Sequence, residues 1–91
     1  MKILIRPLAE FRDCLPERAL DVPEGQSVGD LLRDIAERNS AFHHALFDDG
    51  NRVKGFINIV LNGKHLDKTH EADVLLHDGD EITIFSYIAG G

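Results

Sequence analysis

Cysteine and basic residues are scarce in this chain. Its 91 residues include one cysteine, Cys14, so no disulfide can form within the chain, and we expect a cytoplasmic protein. Lys and Arg number 10 against 16 Asp and Glu, which gives a formal net charge of −6. Because an acidic surface repels phosphate groups, we expect no nucleic-acid or membrane partner, and instead a protein partner with a basic surface.

Long hydrophobic runs and metal-binding patterns are also missing. No stretch approaches the roughly 20 apolar residues of a membrane span, and the first eleven residues are too short and interrupted for a signal peptide. His43 and His44 are adjacent and not spaced i, i+4, and no cysteine supports His65, His70 or His77, so no metal site is expected. No glycine-rich loop is long enough to cradle a phosphate, which predicts no bound cofactor.

Five segments have the alternating apolar pattern of short strands. They are residues 2–8, 19–25, 56–61, 64–66 and 81–88. Pro7 closes the first strand, and residues 9–18 after it are interpreted as a polar connection. Asn62-Gly63 favours a two-residue hairpin turn between the third and fourth strands, because both positions of that turn need a positive φ.

One segment has a clear helical pattern. Its apolar residues fall at i, i+3, i+4, i+7 and i+8, namely Val28, Leu31, Leu32, Ile35 and Ala36. Ser27 is a good N-cap, Asp30 completes a capping box, and Asn39 ends the helix. Residues 41–52 add one or two helical turns that end at an Asp-Asp-Gly turn. With the first and last strands paired in parallel at the centre, this order predicts an α+β fold, a mixed sheet of four to five strands with one main helix on one face.

This order resembles the β-grasp fold of ubiquitin-like proteins. The Asn-Gly hairpin, the segment "DGDEITIF" and the final "AGG" are similar to the sulfur-carrier branch, which includes the small subunit of molybdopterin synthase, the thiamin-pathway and cysteine-pathway carriers and the small archaeal modifier proteins. The segment "LFDDGNRVKGFINIVLNG" most resembles the molybdopterin and cysteine-pathway carriers. Many relatives have prolines before the tail, where this chain has Ser86, Tyr87 and Ile88. The resemblance implies a β-grasp domain over residues 1–88 and a flexible C-terminal tail at 89–91.

The resemblance also implies that the carboxylate of Gly91 is the reacting group. An adenylating enzyme would use ATP to convert it to an acyl-adenylate, and sulfur would then displace AMP to leave a thiocarboxylate. Ala89 and Gly90 would form the arm that carries Gly91, since a residue without a Cβ passes through a narrow channel. The chain would then be a co-substrate and not an enzyme, and its sulfur would go to the molybdopterin precursor through the large synthase subunit. Two alternatives are a modifier joined through Gly91 to lysines of target proteins, and an interaction module with an inert tail.

Partner recognition is expected on the sheet face opposite the helix. In the last strand, Ile82 and Ile84 alternate with Thr83 and Phe85, and the isoleucine side suits the helix. The candidate partner-binding residues are therefore Phe56, Val60, Phe85, Tyr87 and Ile88, because aromatic anchors beside the tail are typical of interfaces. The competing interpretation is a one-residue slip at a bulge, which would turn Phe85 into the core.

Cys14 has two interpretations. Arg12 and Arg18 are near it in sequence and would favour a thiolate, and so a redox or persulfide role. The alternative is an incidental loop cysteine, since carriers of this kind hold sulfur at the C-terminus.

Overall fold

The computed structural model describes residues 1–66 and 73–86. Their regular elements are strands β1 (Lys2–Pro7), β2 (Arg18–Asp21), β3 (Ile57–Leu61), β4 (Lys64–His65) and β5 (Glu81–Ser86), and helices α1 (Val28–Arg38) and α2 (Ser40–Leu46). A 3₁₀ helix, Ala9–Asp13, lies between β1 and β2. No helix in this part of the chain is long and apolar enough to cross a membrane.

The five strands form one mixed sheet in the order β2-β1-β5-β3-β4. β1 and β5 pair in parallel at the centre of the sheet, as predicted. In this pairing Ile5 lies opposite Ile82. The other three pairs are antiparallel. The turn between β3 and β4 has positive φ at both Asn62 (51°) and Gly63 (84°), which confirms the hairpin prediction.

Helix α1 places its apolar stripe in the core. Val28, Leu32 and Ile35 are buried in the same hydrophobic cluster as the inward residues of β1, β3 and β5. Each such side chain contributes about 1.5–3 kcal/mol when fully buried. The cap predicted at Ser27 is present: its hydroxyl accepts from the Asp30 N–H (3.1 Å), and the Asp30 carboxylate accepts from the Ser27 N–H (3.0 Å).

Asn39 ends α1 and begins α2. Its side-chain oxygen accepts from the Phe42 N–H (3.1 Å), and its amide nitrogen donates to the Cys14 carbonyl (2.7 Å). α2 ends at Leu46, before the turn in which Asp48 accepts from two backbone N–H groups. One side chain therefore ends one helix, caps the next and joins both to the segment after β1.

The prediction of a polar connection over residues 9–18 is wrong. Phe11 is fully buried, Leu15 is nearly so, and the Phe11 ring packs edge-on against Phe42 at 6.1 Å between centroids. Phe11 in the 3₁₀ helix and Leu15 just after it both face the core, while the charged residues of the helix are exposed. The second strand is also shorter than predicted, since it ends at Asp21.

Candidate functional site

The sheet face opposite α1 is called the outer face. Along β5, Ile82 and Ile84 are fully buried on the helix side, whereas Thr83 and Phe85 are half-buried on the outer face. The pairing of β3 with β5 runs without interruption from Ile57–Ser86 to Leu61–Ile82. The predicted face assignment is confirmed, and the interpretation in which a bulge moves Phe85 into the core is wrong.

Of the predicted partner-binding residues, the structure describes Phe56, Val60 and Phe85, which we call the docking patch. Val60 and Phe85 lie on the outer face on neighbouring strands and are half-buried. Phe56 directly precedes β3 and is 39% exposed. The other predicted site residues lie outside the described residues, namely Tyr87, Ile88, Ala89, Gly90 and Gly91, as does the predicted domain boundary after residue 88.

Asn58 and His65 complete this part of the outer face and were not predicted as site residues. Asn58 lies directly opposite Phe85, and His65 lies opposite Val60. His65 Nδ1 is 3.2 Å from Asn58 Oδ1, and the His65 ring meets the Phe85 ring edge-on, with centroids 6.4 Å apart. The sequence feature that could have indicated this cluster is Asn58, the single polar residue in the apolar segment "INIVL".

Ion pairs occupy the β1 and β2 side of the outer face. Arg6 contacts Glu81 (2.8 Å) and Glu17 (3.4 Å), and Lys2 contacts Asp21 (2.8 Å). The hydrogen bond from Lys2 lowers the pKa of the Asp21 carboxyl. Exposed pairs of this kind add little to stability, but they bound the docking patch on one side with paired charge.

Cys14 lies in surroundings that oppose a thiolate. Burial raises the pKa of its thiol, and the nearby carboxylates of Asp13 and Glu10 act in the same direction. These causes argue against an arginine-activated thiolate and favour the interpretation of Cys14 as an incidental loop cysteine. Across residues 1–66 and 73–86, no three His, Cys, Asp or Glu side chains are grouped as metal ligands would be.

The sheet order, the crossing helix and the outer face define a ubiquitin-like β-grasp protein. Its α+β class agrees with the prediction, with five strands and two helices. Residues 5–91 match the sequence profile of the ThiS family, and the chain belongs to that family, whose members are small carrier proteins and not catalysts.

Similar proteins include both modifiers and a cofactor-pathway subunit. The chain is 29% identical to small archaeal modifier protein 3 of Haloferax volcanii over the full length of both chains. The crystal structure of SAMP1 from the same organism superposes with a TM-score of 0.83 over all of both chains at 22% identity, which shows the shared fold. A putative molybdopterin converting factor, subunit 1, from Pyrococcus furiosus has a TM-score of 0.74 and 28% identity, over 97% of this chain and 99% of that one.

Proposed function

We propose that this protein carries sulfur on Gly91 as a thiocarboxylate and donates it in molybdopterin biosynthesis. The observation that carries the proposal is the family match, which runs through the final Gly-Gly to residue 91. The similarity to a putative subunit 1 of a molybdopterin converting factor supports the pathway and a large synthase subunit as the acceptor. We place the protein in the cytoplasm, where ATP is available to the activating enzyme.

The chemistry that this role needs comes from the partner enzyme. A carboxylate oxygen of Gly91 attacks the α-phosphate of ATP, and pyrophosphate leaves. A persulfide sulfur then attacks the acyl carbon and expels AMP, and a thiol cleaves the resulting acyl disulfide to leave the thiocarboxylate and a disulfide. The carrier binds no cofactor in this scheme, and its own contribution is to place Gly91, since positioning accelerates such a step.

The position of β5 suits that contribution. β5 pairs with β1 as far as Ile84 and with β3 as far as Ser86, so its end lies at the centre of the sheet beside Phe85. Gly91 is the fifth residue after Ser86, and an extended chain of five residues reaches about 17 Å. A partner bound at the docking patch would therefore have the Gly91 carboxylate within its reach.

Intact mass spectrometry tests the proposal. The chain is incubated with the adenylating enzyme of its source organism, ATP and a sulfur donor, and one oxygen should be replaced by sulfur. A variant that ends at Gly90 is the control and should keep its mass. No change in the wild-type mass, under conditions that charge another carrier, would reject the proposal and leave the modifier and the interaction module with an inert tail.

A second function, protein modification, is favoured by the full-length similarity to small archaeal modifier protein 3. In this function a lysine amine attacks the activated Gly91 carbonyl and expels AMP, which forms an isopeptide bond. Conjugates should appear on immunoblots of cell extracts that contain the wild-type chain and disappear with the variant that ends at Gly90. Conjugates that persist with that variant would exclude attachment through Gly91.

A further inference from the structure

Asn62 and Gly63 form the turn between β3 and β4, and this pair of residues is chemically reactive. Their φ angles are both positive, 51° at Asn62 and 84° at Gly63, as the turn requires. Asn62 is the only asparagine of the chain that precedes a glycine. An asparagine in this position can deamidate, because glycine has no Cβ to hinder its backbone nitrogen when that nitrogen attacks the side-chain carbonyl carbon. Both residues are exposed, so water reaches them.

Deamidation removes the side-chain amide of Asn62. The Gly63 nitrogen forms a bond to Asn62 Cγ, the bond from Cγ to Nδ2 breaks, and Nδ2 leaves as ammonia with the proton of the Gly63 N–H. The product is a five-membered succinimide ring. Water then opens the ring at either carbonyl, which leaves aspartate or isoaspartate at position 62. The change is permanent, since the ammonia is lost.

The fold fixes the Asn62 amide with two hydrogen bonds. Nδ2 donates to Asp80 Oδ1 (2.8 Å), and Oδ1 accepts from the Glu81 N–H (2.8 Å). These partners determine the orientation of the amide, because a carboxylate only accepts and a backbone N–H only donates. Succinimide formation requires Cγ to bond to the Gly63 nitrogen and Nδ2 to leave, so the reaction competes with both hydrogen bonds.

We propose that the Asn62–Asp80 hydrogen bond controls deamidation at Asn62, and that deamidation in turn separates the β3–β4 turn from β5. A carboxylate at position 62 would place an oxygen where Nδ2 now meets Asp80 Oδ1, so two negative charges would lie at hydrogen-bond distance with no proton between them. The Asp80 side chain is only 13% exposed, so this repulsion is poorly screened. The reaction thus limits the lifetime of the folded chain at one defined residue. A chain that takes up no sulfur would leave this inference intact.

Deamidation rates test the first half of the proposal. Purified chain is kept at mildly alkaline pH, and the mass increase from amide to carboxylic acid is followed by intact mass spectrometry and located by peptide mapping. Folded wild type should react at Asn62 more slowly than wild type unfolded in guanidinium chloride. Asp80→Ala should raise the rate of the folded chain about tenfold, the value of one hydrogen bond to a charged group. Equal rates for folded and unfolded wild type would overturn the inference.

Asp78→Ala is the matched control, because it removes an acidic side chain from the same turn without touching Asn62. The Asp78 carboxylate accepts instead from the Lys2 N–H (2.6 Å), so this variant should react at the wild-type rate. Equal rates for Asp78→Ala and Asp80→Ala would show that the Asn62–Asp80 hydrogen bond does not control the reaction.

Global unfolding is a separate route to the same product and is measured directly. Circular dichroism gives the unfolded fraction of Asp80→Ala, and a rate no greater than that fraction of the rate in guanidinium chloride would contradict local control. Asp80→Asn takes its place if Asp80→Ala does not fold. It leaves one acceptor oxygen for two donors, Asn62 Nδ2 and the His77 N–H, so its rate should also exceed that of wild type.

Urea unfolding tests the second half of the proposal. Asn62→Asp reproduces the direct product and should lower the urea midpoint, whereas adding Asp80→Asn should raise it again. The double variant exchanges the two groups, so that an amide at position 80 donates to a carboxylate at position 62, and acceptors remain for the His77 and Glu81 N–H groups. A wild-type midpoint for Asn62→Asp would overturn the inference, and so would a double variant no more stable than Asn62→Asp.

Discussion

Asp80 joins three segments at the start of β5, and its removal is the sharpest test of how the sheet is held together. Its carboxylate accepts from the His77 N–H (2.8 Å) and from Asn62 Nδ2 (2.8 Å). Its backbone carbonyl accepts from the Leu4 N–H (2.9 Å). Asn62 Oδ1 accepts in turn from the Glu81 N–H (2.8 Å), so the β3–β4 turn is fastened to the first residues of β5.

The magnitude follows from the two carboxylate contacts. The Asp80 side chain is 13% exposed, and hydrogen bonds to charged groups contribute about 1.5–3 kcal/mol each. His77 and Asn62 are exposed, so water replaces part of what Asp80→Ala removes. We therefore expect a loss of about 2 kcal/mol in the free energy of unfolding, out of roughly 5–10 kcal/mol for a domain of this size. With a urea m-value of about 1 kcal/mol/M, the midpoint falls by about 2 M.

Urea unfolding followed by far-UV circular dichroism measures this loss. Asp49→Ala is the matched control, because it makes the same charge change at an exposed turn position that has no hydrogen bond or ion pair within the described residues. That variant should stay within about 0.5 kcal/mol of wild type. Equal midpoints for Asp80→Ala and Asp49→Ala would refute the reasoning.

Three further predictions concern a helix cap, the docking patch and the cysteine. Ser27→Ala should lower the free energy of unfolding by about 1 kcal/mol in the same assay. Asp30→Ala should also lower the free energy of unfolding. Because hydrogen bonds from Ser27 lower the Asp30 pKa, this loss should be full above the ordinary carboxyl pKa and should shrink as the pH falls through the lowered pKa. A loss that does not change with pH would contradict this assignment. Phe85→Glu should abolish binding to the activating enzyme with an unchanged dichroism spectrum, and an unfolded variant would count against an outer-face role. Cys14 should react with iodoacetamide more slowly in the folded chain than in urea at the same pH, since burial raises its pKa, and equal rates would refute this.

The elements that could be predicted are those with local causes. The apolar stripe and the caps of α1 lie within 13 residues of sequence, so both the position of the helix and its buried face can be predicted from the sequence. The faces of β5 follow from strict alternation of Ile82 and Ile84 with outward residues. Asn62 and Gly63 have the positive φ angles that their turn demands.

The elements that were missed have long-range causes. Phe11 is buried because Phe42 packs against its ring, and Phe42 lies 31 positions further along the sequence. The 3₁₀ helix that carries Phe11 is too short to show a period among its charged neighbours. The Asn58–His65–Phe85 cluster likewise needs three strands in register, so the contacts of the buried Asn58 amide do not follow from any one segment.

The motifs that carry the family resemblance are present for two different physical reasons. The Asn-Gly turn and the "DGD" turn are joined by the hydrogen bond from Asn62 to Asp80, so any protein that folds this way has reason to keep them. They indicate the fold and not sulfur transfer. The tail glycines have no side chains with which to pack a core, so under the proposed function their reason is chemical. The two classes should separate in experiment: Asp80→Ala should reduce thiocarboxylate formation only in proportion to the unfolded fraction, whereas ending the chain at Gly90 should abolish it with the unfolding midpoint unchanged. If loss of Gly91 lowered that midpoint as well, the tail would belong to the fold and this division would fail.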